Sequence, residues 1–284
     1  MKILAVTVVY EPDPELLLRS VASYVDAVDK VLVWRNSPIP ESLEARLAAL
    51  GENEGKIEFR GDGTNVGISR ALNAVWQEVV GSGIDALLTM DQDSIWHHFK
   101  DFLNLIETPA APKGFYAPRI LSAQEGEGGG NSPQKSEFTP FETAFTSGML
   151  IPSDILERVG GWCEDFRVDG VDNEFCLHAK TLGIQGYRCP AGWLEHTLGK
   201  VEFRTLFGLR FRTYNYTPER LFGIYRNNLL AIKKYPSVSG NFRRQFYRTW
   251  LWKRPLRMLL GERNLKEKFA AVRQGIRAAK RAEL

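Results

Sequence analysis

Ala86-Leu-Leu-Thr-Met90-Asp91-Gln-Asp-Ser94 is the stretch on which the reading of this chain turns. Its first five residues form an apolar run of strand length, which predicts a buried central strand. Two carboxylates follow, two residues apart. At a strand end such a pair can share one hard dication with phosphate oxygens. A turn with exposed acids has the same spacing. The pair gains meaning only where ligands collect, beyond the carboxyl ends of the strands in an open α/β sheet.

The flanking sequence supplies such a sheet. Ile3–Val9, Asp29–Trp34 and Lys56–Phe59 read as further strands. Between them, Leu16, Leu17, Val21 and Tyr24 recur at helical spacing after Pro14, which suits a first helical turn. Leu43–Leu50 and Ile68–Val80 are also helical, the latter with Ala71, Leu72, Val75, Trp76 and Val79 on one face. Strands alternating with helices predict an α/β fold with helices on both faces of the sheet. The second half is less regular. Thr146–Pro152 reads as a strand, and Ile155–Val159 as a short helix capped by Ser153 or Asp154 and ended by Gly160-Gly161. Asp172–Leu182 reads as a helix, Gly186–Arg188 as part of a strand, and a helix begins near Pro218. His97 and His98 fall in a loop or helix start. The glycine-rich stretch 124–136 reads as a mobile loop that could close over a substrate.

Composition bounds the class. The 284 residues suffice for one large α/β domain with an appendage, and 25% charged residues is an ordinary globular value. Three scattered cysteines argue against a disulfide framework and fit a reducing, cytoplasmic setting. The opening apolar run is too short for a secretory leader. No run of eighteen apolar residues predicts a membrane span. From Asn241 to Leu284 there are thirteen Lys or Arg against three Asp or Glu, a net +10 within a total of +3. The asymmetry suggests a main domain, 1–235, followed by a basic helical extension, 236–284. In the extension Trp250, Leu251, Trp252, Leu256, Met258, Leu259 and Leu260 lie amid basic residues. That pattern suits either an anionic membrane surface or a cap packed on the domain. No nucleic-acid fold signature accompanies the charge.

Other constellations could carry chemistry. Asn65-Val-Gly67-Ile-Ser-Arg70 opens a helix, where a phosphate or base carbonyl could bind and where a plain cap is equally natural. Asp169, Asp172 and Glu174 crowd another helix start. Any of the three could be a general base or simply oppose the helix dipole, and spacing does not choose among them. Glu195-His196, after the strand-like stretch Tyr187–Trp193, and Tyr225-Arg226-Asn-Asn228 complete the set.

In this order the motifs resemble those of inverting family 2 glycosyltransferases of the GT-A fold, and within them the bacterial rhamnosyltransferase-like branch. The resemblance covers about residues 3–235. It rests on Val6-Thr-Val-Val-Tyr10, Asn65–Asn73, Asp91-Gln-Asp-Ser94, Thr146-Ser-Gly-Met149, Asp169-Gly-Val-Asp-Asn-Glu174, Glu195-His196 and Tyr225-Arg-Asn. It implies a GT-A fold, a mixed sheet flanked by helices. It also implies transfer of a sugar from a nucleotide-diphosphate donor, linked to dTDP or UDP, in bacterial surface polysaccharide synthesis. Thr7, Val9, Tyr10, Glu11, Asn36, Asn65, Gly67, Arg70, Asp91, Gln92 and Arg226 would hold the donor. Asp93, with Asp91 and His196, would hold Mg²⁺ or Mn²⁺. Asp172 would be the base, and Ser147, Gly148, Met149, Asp169 and Glu174 would meet a glycan or lipid-linked acceptor. His178 stands where the family usually has Arg, and its late Tyr-Tyr pair is reduced to Tyr225. The oligomeric state stays open, with a homodimer as one option. Two rival readings remain. A sugar nucleotidyltransferase would need a glycine-rich basic loop where Glu11-Pro-Asp-Pro14 stands, and a non-catalytic carbohydrate-binding scaffold would have no need of the acids.

Overall fold

The computed structural model describes residues 1–51, 55–122, 137–196, 202–206 and 209–283. The glycine-rich loop expected at 124–136 lies outside them. The elements run β1 (Ile3–Val9), α1 (Pro14–Ala22), β2 (Lys30–Arg35), α2 (Glu41–Ala48), β3 (Ile57–Arg60), α3 (Ile68–Val79) and β4 (Ala86–Asp91). They continue with β5 (Ser94–His97), α4 (Phe99–Ile106), β6 (Phe115–Ser122), β7 (Thr139–Phe141), β8 (Met149–Pro152), α5 (Ser153–Val159) and α6 (Val171–Thr181). The chain ends with β9 (Gly186–His196), the hairpin β10 (Glu202–Leu206) and β11 (Leu209–Thr213), then α7 (Pro218–Lys234), α8 (Gly240–Phe246), α9 (Arg254–Gly261) and α10 (Leu265–Arg281).

The main sheet has the order β3-β2-β1-β4-β8-β6-β9-β5, with β7 against β9. Its first four strands are parallel, as their alternation with helices predicts, and β8 joins β4 antiparallel. The period of two along each strand divides the core between the two faces. Leu4 and Val6 of β1 pack with Leu72, Val75 and Val79 of α3 and Phe175 of α6. Ile3, Ala5 and Val9 pack on the other face with Leu17 and Val21 of α1 and Leu47 of α2. The expected central strand is confirmed, since every residue from Ala86 to Met90 is buried.

Three local readings are corrected. Pro152, not Ser153 or Asp154, occupies the cap position of α5, and no side chain caps it. Its fixed φ already holds the extended entry that a cap residue needs. His97 belongs to a strand, β5, because Ser94–His97 pairs antiparallel with Trp193–His196. The strand expected over Gly186–Arg188 and Tyr187–Trp193 continues to His196, with a register irregularity against β6 between Arg188 and Trp193, so Glu195 and His196 sit on it and not after it.

A third apolar cluster joins Leu221, Ile224 and Tyr225 of α7 to Phe246, Met258 and Val272 of the extension. Residues 236–283 thus pack on α7, α10 most extensively. Between α8 and α9 the chain passes through a π-helical stretch, Tyr247–Lys253. Such segments carry one extra residue per turn and are frequent at functional sites. Among the described residues, no helix is long and apolar enough to cross a membrane.

Candidate functional site

The parallel register carries the strand ends to one edge. Val8 stands beside both Trp34 and Asp91, so the ends of β1, β2 and β4 are level. Gln92 fixes this junction, accepting from the Tyr10 N–H at 2.7 Å and donating to the Tyr10 carbonyl at 3.0 Å. The β5–β9 register sets Ser94 opposite His196, and the Ser94 hydroxyl bonds the imidazole Nδ1 at 2.8 Å. That pairing places His196 Nδ1 3.9 Å from Asp93 Oδ1. Asp91, Asp93 and His196 each offer a ligand atom within 4.8 Å of the others.

These three line a lobe of about 730 Å³ with Val8, Tyr10, Asn36, Asn65 and Gln92 on the sheet side. Tyr214, Tyr216, Arg220, Trp250, Arg254 and Arg257 close it from the C-terminal side. Asn36 and Asn65 are held by each other. The Asn36 amide donates to Asn65 Oδ1 at 3.2 Å and its oxygen accepts the Val66 N–H at 2.8 Å. Gly67 follows with φ +88°, and a Cβ there would lie 2.8 Å from the Arg167 carbonyl. Only glycine lets this loop start α3 so close to the neighbouring backbone.

A second lobe, about 530 Å³, adjoins the first and holds Asp169, Asp172, Asn173, Arg188, Asn228 and Phe246. Phe145, Tyr216, Arg220, Thr249 and Trp250 border both. Asp172 lies in the first turn of α6, which starts after Gly170 at φ +81°. One of its oxygens accepts the Asn173 N–H at 2.8 Å. The carboxyl opens onto the cleft but is otherwise enclosed by protein. This burial, and to a lesser degree the charges of Asp91 and Asp169, push it up to about 7 despite the N–H and the helix dipole. Asp91 is likewise pushed up to about 6, first by burial and then by Asp93, while His196 works the other way. Asp169 also rises through burial, offset in part by Arg220 at 3.6 Å.

The donor set tests whether a dication fits. Two carboxylates and an imidazole suit Mg²⁺ or Mn²⁺ with phosphate oxygens completing the sphere. An acid held protonated toward neutrality by burial and a like charge gains most from a cation. The residues therefore fit the group.

Several residues implied by the resemblance face elsewhere. Thr7 is fully buried beneath the cleft with its hydroxyl on Tyr24, and Val9 is core. Glu11 is exposed at φ 44° with its N–H on Ser37 Oγ. Arg70 pairs with Glu164 at 3.0 Å, and Arg226 binds the Asp165 carbonyl and Asn227, so neither lines the cleft. Ser147 is buried under Asp91, accepting its N–H at 3.1 Å, and Gly148 and Met149 pack behind it. Glu174 is buried against Lys234 at 2.8 Å and Tyr235 at 2.5 Å, an ionic tie between α6 and α7. The cleft residues that sequence reasoning passed over are Phe145, Arg188, Tyr214, Tyr216, Arg220 and Arg254.

The chain carries the GT-A glycosyltransferase fold. It aligns over 98% of its length, at 12% identity and TM-score 0.62, with the structure of GalNAc-T7 with UDP, GalNAc and Mn²⁺, of which it spans 56%. It aligns over the same share with residues 1–349 of S. aureus TarS in complex with UDP-GlcNAc, at 15% identity and TM-score 0.59, spanning 82% of that chain. Among curated proteins it is 26% identical over 253 residues to a dTDP-rhamnosyl transferase, RfbF, of Shigella flexneri, covering 82% of this chain and 80% of that one. No family model matches the chain.

Proposed function

We propose that this chain is an inverting glycosyltransferase that moves a sugar, rhamnose first among the candidates, from a dTDP- or UDP-linked donor to a glycan or lipid-linked glycan. The observation that carries the reading is the pair of adjoining lobes. One holds an acidic dyad with an imidazole, and the other a buried carboxyl poised near neutral pH. The relative named for dTDP-rhamnosyl transfer supports the sugar. The neighbours holding UDP, UDP-GlcNAc or Mn²⁺ support the donor class and the metal.

Asp172, ionised, takes the proton from the acceptor hydroxyl as that oxygen attacks the anomeric carbon. The bond from carbon to the phosphate oxygen breaks on the opposite side, and the nucleoside diphosphate leaves with the electron pair. Asp91, Asp93 and His196 would hold a divalent ion, which when bound stabilises the charge that develops on the leaving diphosphate. Asn36, Asn65, Tyr10 and Gln92 orient the nucleoside at the strand ends. The aromatic border, Phe145, Tyr216 and Trp250, excludes water and offers ring faces to sugars. In this reading the extension at 236–284 is part of the site and not an independent appendage.

The test is a melting-temperature panel with Mn²⁺ and dTDP, UDP or GDP, followed by donor hydrolysis. Binding adds stability by mass action, about 2.7 kcal/mol at a hundredfold excess over Kd. We expect dTDP or UDP to raise the melting temperature. No shift with any of the three would refute the reading.

The setting we propose is the cytoplasmic face of a membrane. On the outer side of the segment that closes the cleft, Trp252, Leu256, Leu259 and Leu260 are exposed at helical spacing, Trp252 by 77%. Exposed Arg248, Lys253 and Arg263 flank them, and no acid occurs from Arg243 to Gly261. Basic flanks around an apolar stripe match an anionic bilayer surface. Co-sedimentation with phosphatidylglycerol vesicles is expected, and Trp252→Ser with Leu256→Ser should abolish it. Equal pelleting of the natural chain with neutral and anionic vesicles would remove the membrane.

A further inference from the structure

Arg254 is the one described arginine whose guanidinium is buried with most of its donors idle. It is 4% exposed and lines the lobe that holds Asp91, Asp93 and His196. Its guanidinium packs against the stacked rings of Tyr214 and Tyr216, with its central carbon 5.5 and 5.1 Å from their centroids. Among the described residues, the ion pair from Nη2 to Glu262 Oε1, at 2.7 Å, is its only polar contact. Among the described residues Nε, Nη1 and Nη2 are all buried without a hydrogen-bond partner, so Glu262 engages Nη2 through charge alone. Glu262 is shared with buried Lys268 at 2.8 Å, so one carboxylate faces two cations and the cluster keeps a net positive charge.

Ring faces attract the charge of a guanidinium but do not satisfy its in-plane N–H groups. Each idle buried donor destabilises the fold, because it has given up water without gaining an acceptor. A fold tolerates that where a ligand supplies the acceptors. The ligand must be anionic, must reach the lobe beside the acidic dyad and must offer several oxygens to a planar donor. A diphosphate meets all three demands, because guanidinium matches phosphate oxygens in pairs. Partly exposed Arg257, one turn on, lines the same lobe and extends the positive wall. Arg220 also lines it but is engaged with Asp169.

We propose that Arg254 is a phosphate anchor supplied by the C-terminal extension, gripping the donor diphosphate from the wall facing the acidic dyad. This deepens the reading above and rests on it for the identity of the donor. Glu262, Tyr214 and Tyr216 are the positioning residues that hold the fork in place. The arrangement gives the diphosphate two independent holds. The acids grip it only by way of a cation, and Arg254 grips it directly.

Calorimetric titration of inorganic pyrophosphate and of dTDP or UDP, each with Mn²⁺ and with EDTA, tests this. The natural chain is expected to keep measurable pyrophosphate affinity in EDTA. Arg254→Met should lose it, and should weaken the nucleoside diphosphate by about tenfold or more in both conditions. Thymidine or uridine affinity should not change. Arg254→Lys keeps the charge beside Glu262 but not the fork. It therefore guards against misfolding and should fall between the two. Unchanged pyrophosphate affinity in folded Arg254→Met or Arg254→Lys overturns the anchor, as does a natural chain that binds no pyrophosphate. If pyrophosphate binds through Arg254 and no nucleoside improves on it, the anchor stands and the donor reading falls.

Discussion

Asp172→Asn is expected to lose at least about a hundredfold of turnover and yet to melt higher than the natural chain at pH 8. The loss follows from the amide's inability to accept the acceptor's proton. The gain follows from burial. In the folded chain Asp172 titrates at about 7, far above its ordinary 3.8, chiefly because the charged form is poorly solvated there. A carboxyl whose folded pKa is raised favours folding while it is protonated. That contribution is complete below about pH 4 and is lost as pH rises toward 7. The lost contribution is bounded by about 4 kcal/mol, and cleft water reduces it. Asparagine cannot ionise and can still accept the Asn173 N–H, so it escapes the loss. The melting curves should coincide near pH 4 and separate by several degrees at pH 8. The same titration predicts that turnover of the natural chain rises with pH through about 7. A pH-independent difference in melting, or near-normal turnover, would remove Asp172 as the base.

How much of this was legible in the sequence depended on the range of the contacts involved. The acidic dyad could be read because one apolar strand puts it at the edge of the sheet. The sheet was legible because helix and strand periods alternate within short windows. His196 could be placed only by resemblance. Its position is set by the β5–β9 register, and its partner Ser94 is 102 residues away. β5 itself went unread because four residues carry too little periodicity to separate a strand from a loop. Arg70 and Arg226 looked like anion ligands because Glu164 and the Asp165 carbonyl, which engage them, lie 94 and 61 residues off. Glu174 looked like a candidate base for the same reason, until Lys234 and Tyr235 came beside it. The C-terminal wall was the least legible part. Tyr216, Trp250 and Arg254 reach the cleft only because the extension folds back along α7. The one sequence signal was an acid-free basic run interrupted by Pro255, and a surface for anions of any kind would have produced it.

Asp93→Ala should abolish Mn²⁺-dependent nucleotide binding while leaving the metal-free protein as stable as before, or more so. Even groups that only orient a metal ligand typically change affinity by about 10- to 100-fold, so a direct ligand should reach or exceed that. The second half of the expectation comes from the apo electrostatics. Asp93 and Asp91 repel each other across a half-buried rim, and part of the rise of Asp91 to about 6 is due to Asp93. Deleting one acid relieves the other. Asp91 then titrates lower, and no buried partner of Asp93 is orphaned, because His196 Nδ1 keeps its contact with Ser94 at 2.8 Å. Thermal melts in EDTA should therefore match or exceed those of the natural chain, whereas the upward shift with Mn²⁺ and nucleoside diphosphate should vanish. This opposition separates a metal ligand from a structural acid. A structural role would lower the melt in EDTA as well, and an unchanged Mn²⁺-dependent shift would exclude Asp93 from the coordination sphere.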